Sequence, residues 1–117
     1  MSAPDDDLDA LIAEALHDVR QRLAALQERL DVIRAARAGA NDDDEHDPEG
    51  STLSTEWSRA EGQRADAEKE LADLDVALER RRAGSYGICV SCGQPIPIER
   101  LRLRPAAVLC VPCASRL

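Results

Sequence analysis

Apolar residues recur at alternating spacings of three and four through the first third of the chain. Ile12, Leu16, Val19, Leu23, Leu26, Leu30 and Ile33 form one unbroken seam, about three heptads of coiled-coil pattern on a single helix face. Asp5 or Asp6 is placed to cap the start, and the acids of the first turn suit the positive end of the helix dipole. The pattern fades at Arg37 and stops at Gly39, so the expected first helix covers residues 6–38. The stretch 39–51 holds two glycines, a proline and six acids, which argues for a loop. A second seam follows: Leu53, Trp57, Ala60, Arg64, Ala67, Leu71, Leu74 and Leu78. The second helix is expected over 52–83, with Ser51 or Thr52 as its cap. Arg80, Arg81 and Arg82 suit its negative end, and Gly84 suits the position just past it.

Two seams of similar length joined by a loop describe an antiparallel helical hairpin. Arms of this size would be ~45 Å long at ~1.5 Å per residue. Ala60 and Ala67 let the arms approach closely, while Arg64 is the weak point and is expected to snorkel its head outward. The same seams would also serve a dimeric coiled coil. The short connection makes the partner local and favours a monomer. Trp57 reads as a core filler. His17 and His46 each lack a second ligand at metal spacing and read as surface residues.

Composition fits this outline. The chain has 117 residues and 44% apolar content, but only Trp57 and Tyr86 are aromatic. Such a chain suits long helices side by side rather than a thick core. No apolar run approaches the ~20 residues that span a bilayer. The acidic start Met1–Asp7 is unlike a signal peptide, so a cytoplasmic location is expected. Net charge is -8 and uneven: residues 1–50 carry -9, 51–84 carry -2 and 85–117 carry +3. DNA binding unaided would want a strong basic stripe, which the chain lacks. No Ser/His/Asp grouping, phosphate loop or H-E-x-x-H appears, so no enzyme is expected.

The chemistry lies in four cysteines. Cys89-Val90-Ser91-Cys92 and Cys110-Val111-Pro112-Cys113 are two C-x-x-C pairs separated by 17 residues. That spacing closes one tetrahedral Zn2+ site, and four thiolates leave no position for substrate, so the metal reads as structural. Two disulfides or four plain thiols are the alternative; a C-x-x-C disulfide is strained, and a reducing compartment disfavours it. Zinc with four thiolates adds about -2, which leaves the finger only weakly basic. Pro95, Pro97, Pro105 and Pro112 stiffen its loops, and Ile96, Ile98, Leu101, Leu103, Val108 and Leu109 are the expected miniature core.

The run Gly84-Ser85-Tyr86-Gly87-Ile88-Cys89-Val90-Ser91-Cys92-Gly93-Gln94-Pro95-Ile96 resembles the finger of DksA/TraR-type regulators. Arg100-Leu101, Arg104-Pro105 and the second cysteine pair continue the pattern at the right spacing. The resemblance implies a mainly α fold: a coiled-coil arm, the antiparallel helical hairpin of residues 1–84, followed by a four-cysteine zinc finger over 85–117. It implies a transcription regulator that binds RNA polymerase, inserts the arm into the secondary channel and modulates initiation, without binding promoter DNA alone.

The resemblance also gives the loop a role. Asp42, Asp43, Asp44, Glu45, Asp47 and Glu49 would sit at the arm's tip, where hard carboxylate oxygens suit Mg2+ or a basic surface. In the family, acidic tip residues carry the regulatory effect. The best-known members carry Asp-Pro-x-Asp-x-Ala, whereas this chain reads Asp47-Pro48-Glu49-Gly50-Ser51-Thr52. A solvated charged linker is the plainer reading of the same residues. Arg100, Arg102 and Arg104 offer a patch for an acidic polymerase surface or a phosphate, or simply offset the thiolates. Some members answer to guanosine tetraphosphate, but Asp66, Asp73 and Asp75 on the second helix would repel it, and no tight site is expected. Three other readings stand beside the regulator: a zinc ribbon that binds nucleic acid, a thiol redox sensor and a coiled-coil adaptor.

Overall fold

In the computed structural model, which describes residues 5–40 and 48–117, the two periodic seams become two long helices, α1 (Asp5–Ala40) and α2 (Pro48–Ala83). Two short helices follow in the finger, α3 (Ile98–Leu103) and α4 (Val111–Ala114). Among the described residues there is no strand, only one antiparallel bridge between Ile88 and Pro95. The fold is mainly α, with α1 and α2 packed together.

Both long helices overrun their expected ends towards the loop. α1 continues through Gly39 to Ala40, and α2 starts at Pro48 instead of Thr52. Proline at a helix start costs nothing, because its missing N–H has no intrahelical partner there and its φ is already helical. Gly50 and Ser51 therefore lie inside α2 rather than capping it.

The chain packs as two compact units, residues 19–69 and residues 1–18 with 70–117. In the first, Val19, Leu26, Leu30 and Ile33 of α1 are buried, with Ala60 and Ala67 of α2. Leu30, Ile33 and Ala60 form its centre, and half-buried Leu53 and Trp57 close over it. The guanidinium carbons of Arg34 and Arg37 stand 5.4 and 5.8 Å from the Trp57 ring centroid. Trp57 thus fills the core with one part of its ring system and offers a cation–π face to two arginines.

Arg64 interrupts the seam without leaving a stranded charge. Its Nε and Nη2 donate to Glu61 at 3.3 and 3.1 Å, and its Nη1 donates to Glu68 at 2.7 Å. The two acids stand three before and four after it on one helix, where side chains meet. The hydrogen bond from Arg64 holds the Glu61 carboxyl below its ordinary range. Gly62 nearby has no such purpose: a Cβ there would meet nothing within 4 Å. Gly62→Ala is expected to raise stability by about 0.5–1 kcal/mol, since glycine weakens a helix interior. Thermal melting would show this, and an unchanged or lower midpoint would contradict it.

The second unit buries Ile12 and Leu16 of α1 with Leu74 and Ala77 of α2. Leu78, the expected seam residue, is only half-buried, and Ala77 takes its place. Steps of three and four both stay within the apolar stripe, so packing decides between them. Arg81 Nε donates to Asp9 at 2.8 Å and ties the ends of the two helices within this unit.

Candidate metal centre

The finger begins where α2 stops. Gly84 adopts φ 83, Ser85 N–H donates to Arg80 C=O at 2.8 Å and Gly84 N–H to Arg81 C=O at 3.2 Å. That is a Schellman closure, which needs the left-handed conformation glycine takes freely. The Arg80 side chain reinforces it, with Nη2 donating to the carbonyls of Ser85 and Ile88 at 2.9 and 2.7 Å.

The first knuckle follows. Cys89 N–H donates to Gln94 C=O at 2.8 Å and Gly93 N–H to Cys89 C=O at 2.9 Å. Gly93 sits at φ 76, which turns the backbone around Cys92. The second knuckle is the start of α4, where Cys110 is the N-cap residue and Pro112 falls in the first turn. A bond from Val90 N–H to Val108 C=O, 2.9 Å, brings the knuckles together. Arg100 Nε donates to Leu109 C=O at 2.8 Å and holds the approach to the second pair.

The result is four free thiols whose sulfurs all lie within 4.8 Å of one another. Cys92 Sγ and Cys110 Sγ are 3.8 Å apart. A tetrahedron with ~2.3 Å zinc–sulfur bonds has edges of about 3.8 Å, so the donor set fits the ion in number, chemistry and size. Cys89, Cys110 and Cys113 are buried and Cys92 is exposed. The backbone N–H of Cys110, then those of Cys92 and Ser91, donate to Cys89 and draw its thiol down to about 6. Its hydrogen bond with Cys110 pushes the Cys113 thiol up to about 12.

The supporting core is smaller than the sequence suggests. Tyr86, Ile96 and Leu101 are buried with the cysteines, whereas Leu103 is 85% exposed and Val108 sits at the surface. α3 has only six residues. At about 100° per residue, Leu103 points some 200° away from Leu101, so one of the two must face solvent. Tyr86 belongs to this core: its hydroxyl donates to Pro105 C=O at 2.7 Å and its ring is buried. The signal was the scarcity of aromatics: one ring in a finger this small has to lie inside.

The three arginines of this region do not share a face. Arg100 is half-buried against Leu109 C=O, Arg102 projects on another side, and Arg104 is the C-cap of α3. Of the acidic tip residues, Asp42, Asp43, Asp44, Glu45 and Asp47 lie outside the described residues, as does His46. Glu49 falls in the first turn of α2.

Residues 84–117 match the prokaryotic dksA/traR C4-type zinc finger. Similarity extends well beyond it. Over 119 aligned residues the chain is 30% identical to the RNA polymerase-binding transcription factor DksA of Caulobacter vibrioides, covering 97% of this chain and 82% of that one. This chain belongs to the DksA/TraR family. The DksA of Haemophilus influenzae is 31% identical over 107 residues, 87% of this chain and 73% of its own. The structure of transcription factor DksA2 from Pseudomonas aeruginosa superimposes with a TM-score of 0.57 at 24% identity, over 97% of this chain and 95% of that one. It shares the fold. As a DksA/TraR C4 finger, the cluster holds one structural Zn2+, and the family is one of transcription factors rather than enzymes. No described helix of this DksA/TraR member is long and apolar enough to cross a membrane.

Proposed function

We propose that this protein regulates transcription by binding RNA polymerase, with the helical hairpin entering the secondary channel and its acidic tip acting there on initiation. Near-full-length similarity to a factor named for binding RNA polymerase carries the reading. Cys89, Cys92, Cys110 and Cys113 are the proposed ligands of the structural zinc. Asp42, Asp43, Asp44, Glu45 and Asp47, in the connection from α1 to α2, and Glu49, in the first turn of α2, are the proposed effectors. Six carboxylates within eight residues would bias a magnesium ion or the basic groups around it. The protein acts by contact, as a cytoplasmic monomer, with no chemistry and no promoter recognition of its own. The negative charge that disfavours unaided DNA binding is compatible with a protein partner.

Binding of the zinc-loaded protein to core RNA polymerase tests this, with wild type beside a variant in which all six acids are Asn or Gln. Both are expected to bind, and only wild type is expected to change abortive initiation. Failure of wild type to bind polymerase would overturn the reading. Equal effects of both proteins on initiation would remove the tip from it.

A further inference from the structure

Beside α3 lies a cleft of about 420 Å3, lined on α1 by Asp7, Leu11, Glu14, Ala15 and Asp18 and on the finger by Ile98, Arg102 and Pro105. The whole cleft belongs to the unit formed by residues 1–18 and 70–117. Its floor is apolar and incompletely covered, since Leu11, Ala15, Ile98 and Pro105 are each only half-buried. Its α1 wall is acidic, and the three acids are exposed.

The acids keep one phase. Positions 7, 14 and 18 fall within about 40° of one another at about 100° per residue, and they span roughly 16 Å of helix. Leu11 and Ala15 lie between them, so carboxylate and apolar surface alternate along the wall. Arg102 stands in the same cleft. Among the described residues, it makes no ion pair with any of the three acids, nor do they with other residues. The cleft is open enough to keep its own charges apart.

We infer that this cleft docks a basic amphipathic helix of the polymerase. An apolar side chain of that helix would seat on Leu11, Ala15, Ile98 and Pro105. Lys or Arg residues one and two turns away would meet Asp7, Glu14 and Asp18, and Arg102 would donate to a carboxylate or a carbonyl on its far edge. An apolar floor with charged rims is how an amphipathic helix is read in a groove. The sign of the wall selects a cationic partner and speeds encounter. A second copy of this chain is a poor occupant, because each copy carries -8. The inference rests on the polymerase reading and adds the surface that anchors the base of the arm.

The test is equilibrium binding of fluorescently labelled, zinc-loaded protein to core RNA polymerase. The variants are a triple reversal, Asp7→Lys, Glu14→Lys and Asp18→Lys, and a filled cleft, Ala15→Trp. Circular dichroism checks that each keeps its helices. Both variants are expected to weaken binding at least about tenfold, and the reversal's effect should shrink as salt rises. The six-residue tip variant should bind as wild type does. Wild-type affinity in the reversal and in the filled cleft, with wild type binding, would overturn the cleft and spare the polymerase reading. No binding by wild type would overturn both.

Discussion

Removing zinc is expected to unfold residues 84–117 while residues 19–69 stay folded. The finger's buried apolar set is Tyr86, Ile96 and Leu101 beside the cysteines themselves. A core of that size does not hold a module of this length together unaided. Zinc bound to four thiolates supplies about 10–16 kcal/mol in comparable fingers, and that binding energy is their folding energy. Residues 19–69 have their own centre in Leu30, Ile33 and Ala60 and hold none of the four cysteines. Hydrogen exchange before and after a strong chelator reads this directly. Protection should vanish over 84–117 and persist around Leu30 and Ala60. Cys113→Ser should reproduce the loss, because three remaining thiolates leave the tetrahedron open. Unchanged protection over 84–117 in the chelated protein would show that apolar contacts suffice, against the structural role of the metal.

Leu30→Ala and Leu74→Ala are each expected to cost about 2–5 kcal/mol. Both leucines are 1% exposed. Leu30 packs in one cluster with Ala60 of α2, whose single methyl group cannot swing in to refill a hole, so its cost belongs near the upper part of the range that incomplete relaxation produces. Leu74, on α2 itself, is buried in the unit that holds Ile12 and Leu16 of α1. Melting temperature should fall on the order of 10 °C for each variant. Leu103→Ala is the control: at 85% exposed it should change stability by no more than about 0.5 kcal/mol. A small effect at Leu30 or Leu74, comparable to that control, would mean the seam is not where the stability lies.

Much of this was legible in the residues. The α1 seam, Ile12 to Ile33, is buried as its spacing demands, with Leu23 alone half-buried. The four thiols converge as two C-x-x-C pairs should. What escaped the sequence has identifiable physical causes. A periodic stripe tolerates a step of three or four, so Leu78 and Ala77 could not be told apart without the neighbour they meet. Glycine and serine ahead of Thr52 read as loop and cap, yet Pro48 was the better helix start. In the finger, apolar residues outnumber the inward positions that six residues of helix provide. Ile96 and Leu101 go inside while Leu103 and Val108 do not. Arg64 looked like a flaw, and its repair lay in Glu61 and Glu68, visible at spacings of three and four. The arginine row from 100 to 104 looked continuous because a row of letters hides the winding of the helix beneath it.

The junction at Gly84 carries a mechanical consequence. Arg80 grips the segment past the glycine twice over: its main-chain carbonyl accepts from the N–H groups of Ser85 and Tyr86, and its guanidinium donates to the carbonyls of Ser85 and Ile88. A single glycine separates helix from finger, yet the joint is spliced and not a swivel. Any torque on the knuckles is delivered to the last turns of α2, so the azimuth of the finger and that of the helix are geared together. One residue inserted after Ala83 would turn the finger by about 100° and advance it by ~1.5 Å. Such an insertion would leave both parts folded and put them out of step, which separates alignment from stability in a way no point substitution can.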